Sequence, residues 1–426
     1  MSNLLTRLEH RRAWWMAMMV CVIATNAAAQ TRQTPAEQRM AWAQKAIDAN
    51  PKLVQPHNDL ALALSRRARE TGDPSYYDRS ERELATVLAL EPSNLDAKKL
   101  HVWNLLGKHE FGKAREAATA LNKQVPDDVL IYGFVADANA ELGNYDEAEI
   151  AVQWMLDMRA ANLAGHTRAA YLRELFGDVD GALELFTGAF KRMAITEVED
   201  RAWILSQMGH LYLSIGKEDN AEAVLKQALM EFPRYHYALY NLAKVRIAQK
   251  RYQEAVGFLR DLCAALPHAE NVYALAEALE LAGSPEAENT FAEFERKALA
   301  ESASADNANR ELIAYYADHA KNPREALRIA EIERGRRHDV FTRNAYAWAL
   351  HLNGRHREAL DEVNAALAVG ILNAEMLYHA GVIAQSLDDA SAARDHFERS
   401  LSVTPRSPIA DAVRERLGKL KTDARP

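Results

Sequence analysis

The chain has 426 residues, 49% of them apolar and 26% charged, the balance of an ordinary soluble globular protein. Its formal charge of −8 argues against non-specific nucleic-acid binding, which needs cationic patches to neutralise phosphates. No block of like charge is long enough to form a charged tail.

Residues 1–29 have the layout of a cleaved secretory signal. Arg7, Arg11 and Arg12 precede an apolar run from Ala13 to Thr25, and Ala27-Ala28-Ala29 supplies the small-residue end. The run falls short of the roughly 20 residues that span a bilayer, so no stable membrane span is expected after cleavage. The Arg11-Arg12 pair is taken as a basic start rather than a twin-arginine signal, since no Ser or Thr precedes it and no Phe-Leu-Lys follows. Met18, Met19 and Val20 before Cys21 do not fit a lipidation site. The expectation is an exported protein, periplasmic or secreted. Its one remaining cysteine, Cys263, cannot form an internal disulfide and is expected to be a buried thiol.

Pro35 to Asn50 is expected as one helix, ended by Pro51. Helix pairs follow. Weaker units cover Leu60 to Pro92 and Lys98 to Pro126. The next is marked by Ala136, Gly143, Tyr145, Ala148 and Val152, and another by Ala170, Gly177, Ala182, Phe186 and Ala189. Ala202 to Pro233 is the clearest unit. Leu205, Met208, Gly209 and Tyr212 lie on its first helix, Gly216 makes the turn, and Ala221, Leu225 and Ala228 lie on its second. Gly209 and Ala221 are small enough to let the helices approach, while Tyr212 and Leu225 fill the space beside them. Gly216 can adopt the left-handed conformation that stops a helix, and Pro233 cannot continue one. Leu242, Ala243, Tyr252, Ala255 and Pro267 repeat the pattern. Weaker units lie at Tyr273 to Phe294 and Leu312 to Glu333, and two clearer ones contain Tyr346, Ala347, Gly354 and Ala359, then Ala380, Gly381, Ala393, Phe397 and Pro405.

A six-residue phrase binds these units together. Gly143-Asn-Tyr145-Asp-Glu-Ala148 returns as Gly177-Asp-Val179-Asp-Gly-Ala182 and as Gly354-Arg-His356-Arg-Glu-Ala359, with looser forms at Gly216 to Ala221 and Lys250 to Ala255. Repetition at a period of about 34 residues marks a helical solenoid. The pattern closely resembles the tetratricopeptide repeat (TPR) family. That resemblance implies an all-α, right-handed α-solenoid of about ten helix–turn–helix repeats. Pro408 to Leu417 is expected to cap its last apolar face. Extra residues around Gly72-Asp-Pro74 suggest a lengthened turn. The small, polar segment 300–309 suggests a break between an N-terminal stack, 30–302, and a C-terminal stack, 303–426.

In this family the first helices of the pairs line the concave face, where ligands usually lie. Trp203, Ser206, His210 and Leu213 form a stripe separate from the packing stripe of the same helix. The corresponding stripes supply a candidate partner-binding groove: Trp103, Tyr171, Trp203, His210, Tyr237, Tyr240, Lys244, Phe341, Asn344, Trp348, His351 and Tyr378. Large rings with polar handles bury area at low entropic cost, which suits peptide or sugar contacts. Lys99, Lys244 and Arg66 are scattered over separate units, so the carboxylate clamp of some TPR co-chaperones is not expected.

No nucleophile elbow, phosphate-binding glycine loop, dinucleotide fingerprint or paired metal-ligand spacing occurs. The expectation is a non-enzymatic scaffold of the cell envelope, without cofactor or metal, that holds a protein or peptide partner and not nucleic acid. A polysaccharide-associated scaffold for export or envelope assembly is the alternative. An accessory role in metal uptake rests only on the loose group His351, His356, His379 and His396.

Overall fold

The computed structural model describes residues 33–423; the expected signal segment, 1–29, lies outside them. Twenty-two α-helices make up this part, with no strand among the described residues. α1 (Pro35–Ala49) precedes ten helix pairs. They are α2 (Val54–Thr71) with α3 (Ser75–Leu90), α4 (Leu95–Gly107) with α5 (Phe111–Gln124), α6 (Val129–Leu142) with α7 (Tyr145–Met158), α8 (Leu163–Leu175) with α9 (Val179–Arg192), and α10 (Val198–Ser214) with α11 (Glu218–Glu231). Next come α12 (His236–Ala248) with α13 (Tyr252–Ala265), α14 (Ala269–Leu281) with α15 (Ala287–Glu301), α16 (Asn309–Ala314) with α17 (Pro323–Arg336), α18 (Val340–Leu352) with α19 (His356–Leu367), and α20 (Ala374–Ser386) with α21 (Ala390–Val403). A π-helical turn, Tyr315–His319, prolongs α16. The single helix α22 (Ala410–Asp423) packs on α21, longer than the expected cap and starting later.

Local chemistry explains the helix starts. Asn94, Asp128, Asn162, Asp178, Asn322, Asp339, Asn373 and Asp389 each accept a backbone N–H in the first turn of the helix that follows. Thr34 and Glu37 form a reciprocal capping box on α1. Within pairs, small residues sit where helices approach most closely. A Cβ on Gly209 would lie 2.5 Å from Leu225, and one on Gly381 would lie 2.5 Å from Phe397.

Three expectations change. The turn at Gly72-Asp-Pro74 is no longer than its neighbours; the added residues instead lengthen α2 to 18 residues, all of them helical. The core does not part at 300–309. One apolar cluster runs from Val272 and Phe294 past Ala308 to Leu312, Ile329 and Ala349. Buried Glu333 fastens this segment by accepting from Asn309 and Arg336. Cys263 is half-buried, and burial raises its thiol to about 11.

The solenoid coils until its two superhelical turns touch. His236 Nε2 meets the Arg69 carbonyl at 3.0 Å, and His268 Nε2 meets that of Gly72 at 3.1 Å. His109 pairs with Asp306 at 2.9 Å. The His338 N–H donates to the Leu142 carbonyl, and the Val340 N–H donates to the Tyr145 hydroxyl at 2.9 Å. Lys250 reaches Asp411. Arg69 pairs with Glu199 and Asp200 across the same seam. From the second pair onward, the turn inside one pair faces the linker that ends the fifth pair after it, until α22 takes the place of a linker. Gly143 and Gly177 sit at this seam. A Cβ on Gly143 would lie 2.5 Å from the His338 carbonyl carbon, and one on Gly177 would collide with the Gly370 carbonyl oxygen. Gly354, in the last superhelical turn, has nothing within 4 Å of such an atom.

No helix among the described residues is long and apolar enough to cross a membrane.

Candidate functional site

The first helices of successive pairs touch one another in the runs α2–α4–α6–α8, α10–α12 and α16–α18–α20. Coiling turns their shared face inward. Tyr237 leaves 44% of its surface open, yet desolvation raises its hydroxyl pKa. That combination marks a side chain looking into a narrow concavity, open to water but surrounded by protein. Tyr240, on the same helix, feels the charges of Glu270 and Glu277 on α14 and of Glu311 on α16. Glu277 in turn feels Glu375 from α20, three pairs further on. This inward face lines the lumen of the coil that the seam contacts close.

The twelve residues expected in the groove divide into three sets. Tyr237, Tyr240 and Lys244 lie together on α12, with the Lys244 ammonium 4.6 Å from the centre of the Tyr240 ring. Four more point along the inner face but already hold partners. Tyr171 donates to Glu141, His210 meets Glu174 at 2.9 Å, Arg310 lies over the Phe341 ring, and Arg416 lies over the Tyr378 ring.

The remaining five pack between repeats. Trp203 meets Phe186 edge-on at 5.9 Å, and Trp103 packs against the Val102–Phe134 cluster. Asn344 is 9% exposed and meets His379 Nδ1 at 3.0 Å, so it is a buried inter-helix contact rather than an open groove residue. The adjacent first helix, α20, crosses α18 at that position and covers it. Trp348 stacks in parallel on His351 and His379 while its indole N–H donates to Asp318. The four C-terminal histidines do not form one cluster. His351 and His356 meet at their Nδ1 atoms, and His379 faces Asn344. No group of three or more potential metal ligands occurs among the described residues.

Several inner-face residues were absent from the expected stripe: Glu270 and Glu277 on α14, and Arg310 and Glu311 on α16; Glu375 on α20 lies on the stripe that the helical period gives with Tyr378. The signal for α14 was present. Ala276 occupies the small-residue position of Gly209, which places Glu270 where Trp203 stands and Glu277 where His210 stands. Desolvation by the surrounding protein raises the carboxyl pKa of Glu270 and of Glu277 to about 7, although Glu270 is exposed and Glu277 partly so, with neighbouring carboxylates adding to the rise. Glu270, Glu311 and Glu375 form no ion pair among the described residues.

A second concavity, of about 520 Å³, opens at the seam beside His109, Phe111, Arg336 and Arg337. Its cations are engaged. Arg336 donates to the carbonyls of Ser302, Ala303 and Ser304, and His109 pairs with Asp306.

Two stretches of the chain, 99–162 and 212–279, match family models described as tetratricopeptide repeat. No curated protein matches the sequence. Among solved structures, the chain is similar to the human IFIT1 dimer with PPP-AAAA, at 14% identity and a TM-score of 0.48 over 87% of this chain and 95% of that one. It is also similar to the APC/C hetero-tetramer Cut9-Hcn1, at 15% identity and a TM-score of 0.45 over 88% of this chain; the match spans 58% of that longer chain. A third similar structure is a thermophilic TPR protein of Thermus thermophilus, at 21% identity and a TM-score of 0.38 over 44% of this chain and 99% of that one. Residues 99–162 and 212–279 are thus tetratricopeptide repeats, in a chain whose ten helix pairs form one α-solenoid.

Proposed function

We propose that this protein is an exported, non-enzymatic scaffold of the cell envelope that holds a segment of a protein partner inside its coil. Repeat solenoids of this kind serve as interaction scaffolds because stacked pairs present one continuous concave surface. The observation that carries the placement is the inner face of α12, α14 and α16. There Tyr237 is exposed, Tyr240 is half-buried beneath the Lys244 ammonium, and Glu270 and Glu311 form no ion pair among the described residues. Export rests on the signal-like layout of residues 1–29.

A photo-crosslinking residue placed at Tyr240 in the full chain, and separately at the outer-face residue Trp154, tests this reading. Trp154 is 51% exposed and serves as the control. Adducts with a protein in the envelope fraction from position 240 and not from 154 are expected. Adducts from 154 alone, or from neither position, would remove the lumen from the argument.

The open Tyr237 ring beside Glu270 also suits stacking against a sugar. The polysaccharide reading therefore stands second. It predicts fluorescence changes on titration with acidic or neutral oligosaccharides in the absence of any protein.

A further inference from the structure

We propose that the outer face of α5 and α7 is a docking surface for a second copy of this chain, so that two molecules associate back to back about a two-fold axis. The surface is on the outside of the coil, away from the lumen, and the inference does not depend on the scaffold reading.

The second helices of a solenoid turn a polar stripe to water, and here α7 breaks that pattern. Residues 34 apart hold the same position in these successive repeats. The stripe carries Arg82 and Thr86 in α3, Glu116 and Ala120 in α5, and Glu184 and Gly188 in α9. In α7 it carries Ile150 and Trp154, 59% and 51% exposed. The Trp154 ring stacks on that of Tyr132, with centroids 6.0 Å apart, so one of its faces is already held in place. A large, fixed ring on an otherwise polar outer face is the kind of anchor that interfaces bury.

The receiving hollow lies one second helix away. A concavity of about 560 Å³ opens on α5 around Ala120, lined also by Arg115, Glu116, Thr119, Lys123 and Gln124. α5 and α7 are both 14 residues long and start 34 residues apart, so their levels match. At three of those levels the two helices are opposites: Arg115 and Glu149, Ala120 and Trp154, Lys123 and Asp157, all six exposed. Rotation by half a turn about an axis parallel to the helices and midway between them lays α5 of each copy over α7 of the other, with the levels kept. Trp154 then enters the hollow over Ala120 of the other copy, Arg115 meets Glu149, and Lys123 meets Asp157, each contact formed twice. Ile150 comes opposite the methylene stem of Glu116. Arg115, Lys123 and Glu149 form no ion pair among the described residues, and Asp157 accepts from Gln153. A two-fold contact needs one patch that complements itself, and a knob beside a hollow with bases beside acids is such a patch. A foreign partner would not require the match to recur within this chain. Two helices about 21 Å long and together about 20 Å across offer roughly 400 Å² per copy, the small end for specific contacts, so association belongs at micromolar concentration.

The test is sedimentation velocity of the full mature chain up to about 200 µM. An acidic variant carries Arg115→Glu and Lys123→Asp, and a basic variant carries Glu149→Arg and Asp157→Lys; circular dichroism melts confirm that both fold. Each alone sets like charge against like and should associate at least about tenfold more weakly than the wild type. An equal mixture should regain the wild-type strength, because the acidic α5 then faces the basic α7, and the acidic α7 the basic α5. Trp154→Ala should weaken the wild-type pair and the mixed pair at least about tenfold, whereas Trp42→Ala, which removes a ring 62% exposed on α1, should change neither. A wild type that stays monomeric, variants that stay apart when mixed, or a pair indifferent to Trp154→Ala would each overturn the proposal, the last by reducing the effect to net charge. A photo-crosslinker at position 154 then joins two copies of this chain, so only adducts with other proteins count where that position serves as the lumen control.

Discussion

Replacing Gly143 by alanine tests whether the two superhelical turns press on one another. Two costs arise. The residue has φ of 84°, a conformation that carries a penalty of about 1–2 kcal/mol for an L side chain. Its new Cβ would lie 2.5 Å from the His338 carbonyl carbon, so the seam must open by about 1 Å to reach ordinary van der Waals separation. Overpacking of this kind costs about 2 kcal/mol, a factor of ~30 in a local opening equilibrium. The His338 and Val340 amides donate to Leu142 and Tyr145 across the seam, so their hydrogen exchange reports its opening directly. Gly143→Ala should accelerate exchange at both amides by roughly that factor. Gly354→Ala is the control. Its φ is 76°, giving similar local strain, but nothing lies within 4 Å of its added Cβ. It should loosen the α18–α19 turn and leave residues 338 and 340 unchanged. If the two variants accelerate exchange at 338 and 340 equally, or neither does, the stacked arrangement is wrong.

Tyr145→Phe removes the hydroxyl that accepts the Val340 N–H and leaves the edge contact with Phe176 in place. An orphaned amide at the seam should cost about 1–3 kcal/mol, measured by urea unfolding; an unchanged transition midpoint would show that water replaces the hydroxyl. Cys263, with its thiol raised to about 11 by burial, should resist iodoacetamide at pH 8 in the native protein and react at once in urea; rapid native labelling would contradict its packing. The Glu270 and Glu277 carboxyls are raised to about 7, so between pH 4.5 and 7 the folded chain binds more protons at these groups than the unfolded chain does, and their contribution to stability falls as pH rises through that window. The groups acting on them include Tyr273 on α14, Lys244 on α12, Glu311 on α16, Glu375 on α20, and Asp306 and His109 at the seam. Glu277 keeps 42% of its side chain open, so solvent screens part of the effect. Glu277→Gln should flatten the decline in urea stability between pH 5 and 8; a slope equal to that of the wild type would place the titration elsewhere.

The helix pairs were legible in the sequence because their determinants are local. Gly209 against Leu225 and Gly381 against Phe397 are contacts between the two helices of one pair, and spacing along the chain reports them. The inner stripe was legible only in part. Helical period alone places Asn344 beside Phe341 and Trp348, but it does not show that α20 crosses above Asn344 and buries it. In α14, acidic residues occupy positions that hold Trp203 and His210 in α10, so a search for aromatic rings passes over Glu270 and Glu277. The seam was not legible at all. How many repeats complete a turn follows from small rotations accumulated over successive pairs, and no single residue encodes it.

That accumulated rotation changes what the recurring glycine phrase means. Read locally, Gly143, Gly177 and Gly354 have one task, to end a helix with positive φ, and all three perform it. In the coil, Gly143 and Gly177 have another: their bare Cα atoms let a carbonyl from the next superhelical turn approach where a methyl group could not fit. Gly354 has no turn above it and keeps only the local task. The seam formed by those approaches also creates the lumen. Without it, Tyr237, Glu270 and Glu311 would stand on an open concave surface, facing bulk water. With the coil closed, the same side chains lie on the inner side of one coil across α12, α14 and α16. A seam variant that opens the coil should therefore weaken the crosslink formed from position 240 without altering any residue of the lumen. Gly143→Ala, remote in sequence from α12 and α14, is the substitution on which the structural and the functional arguments meet.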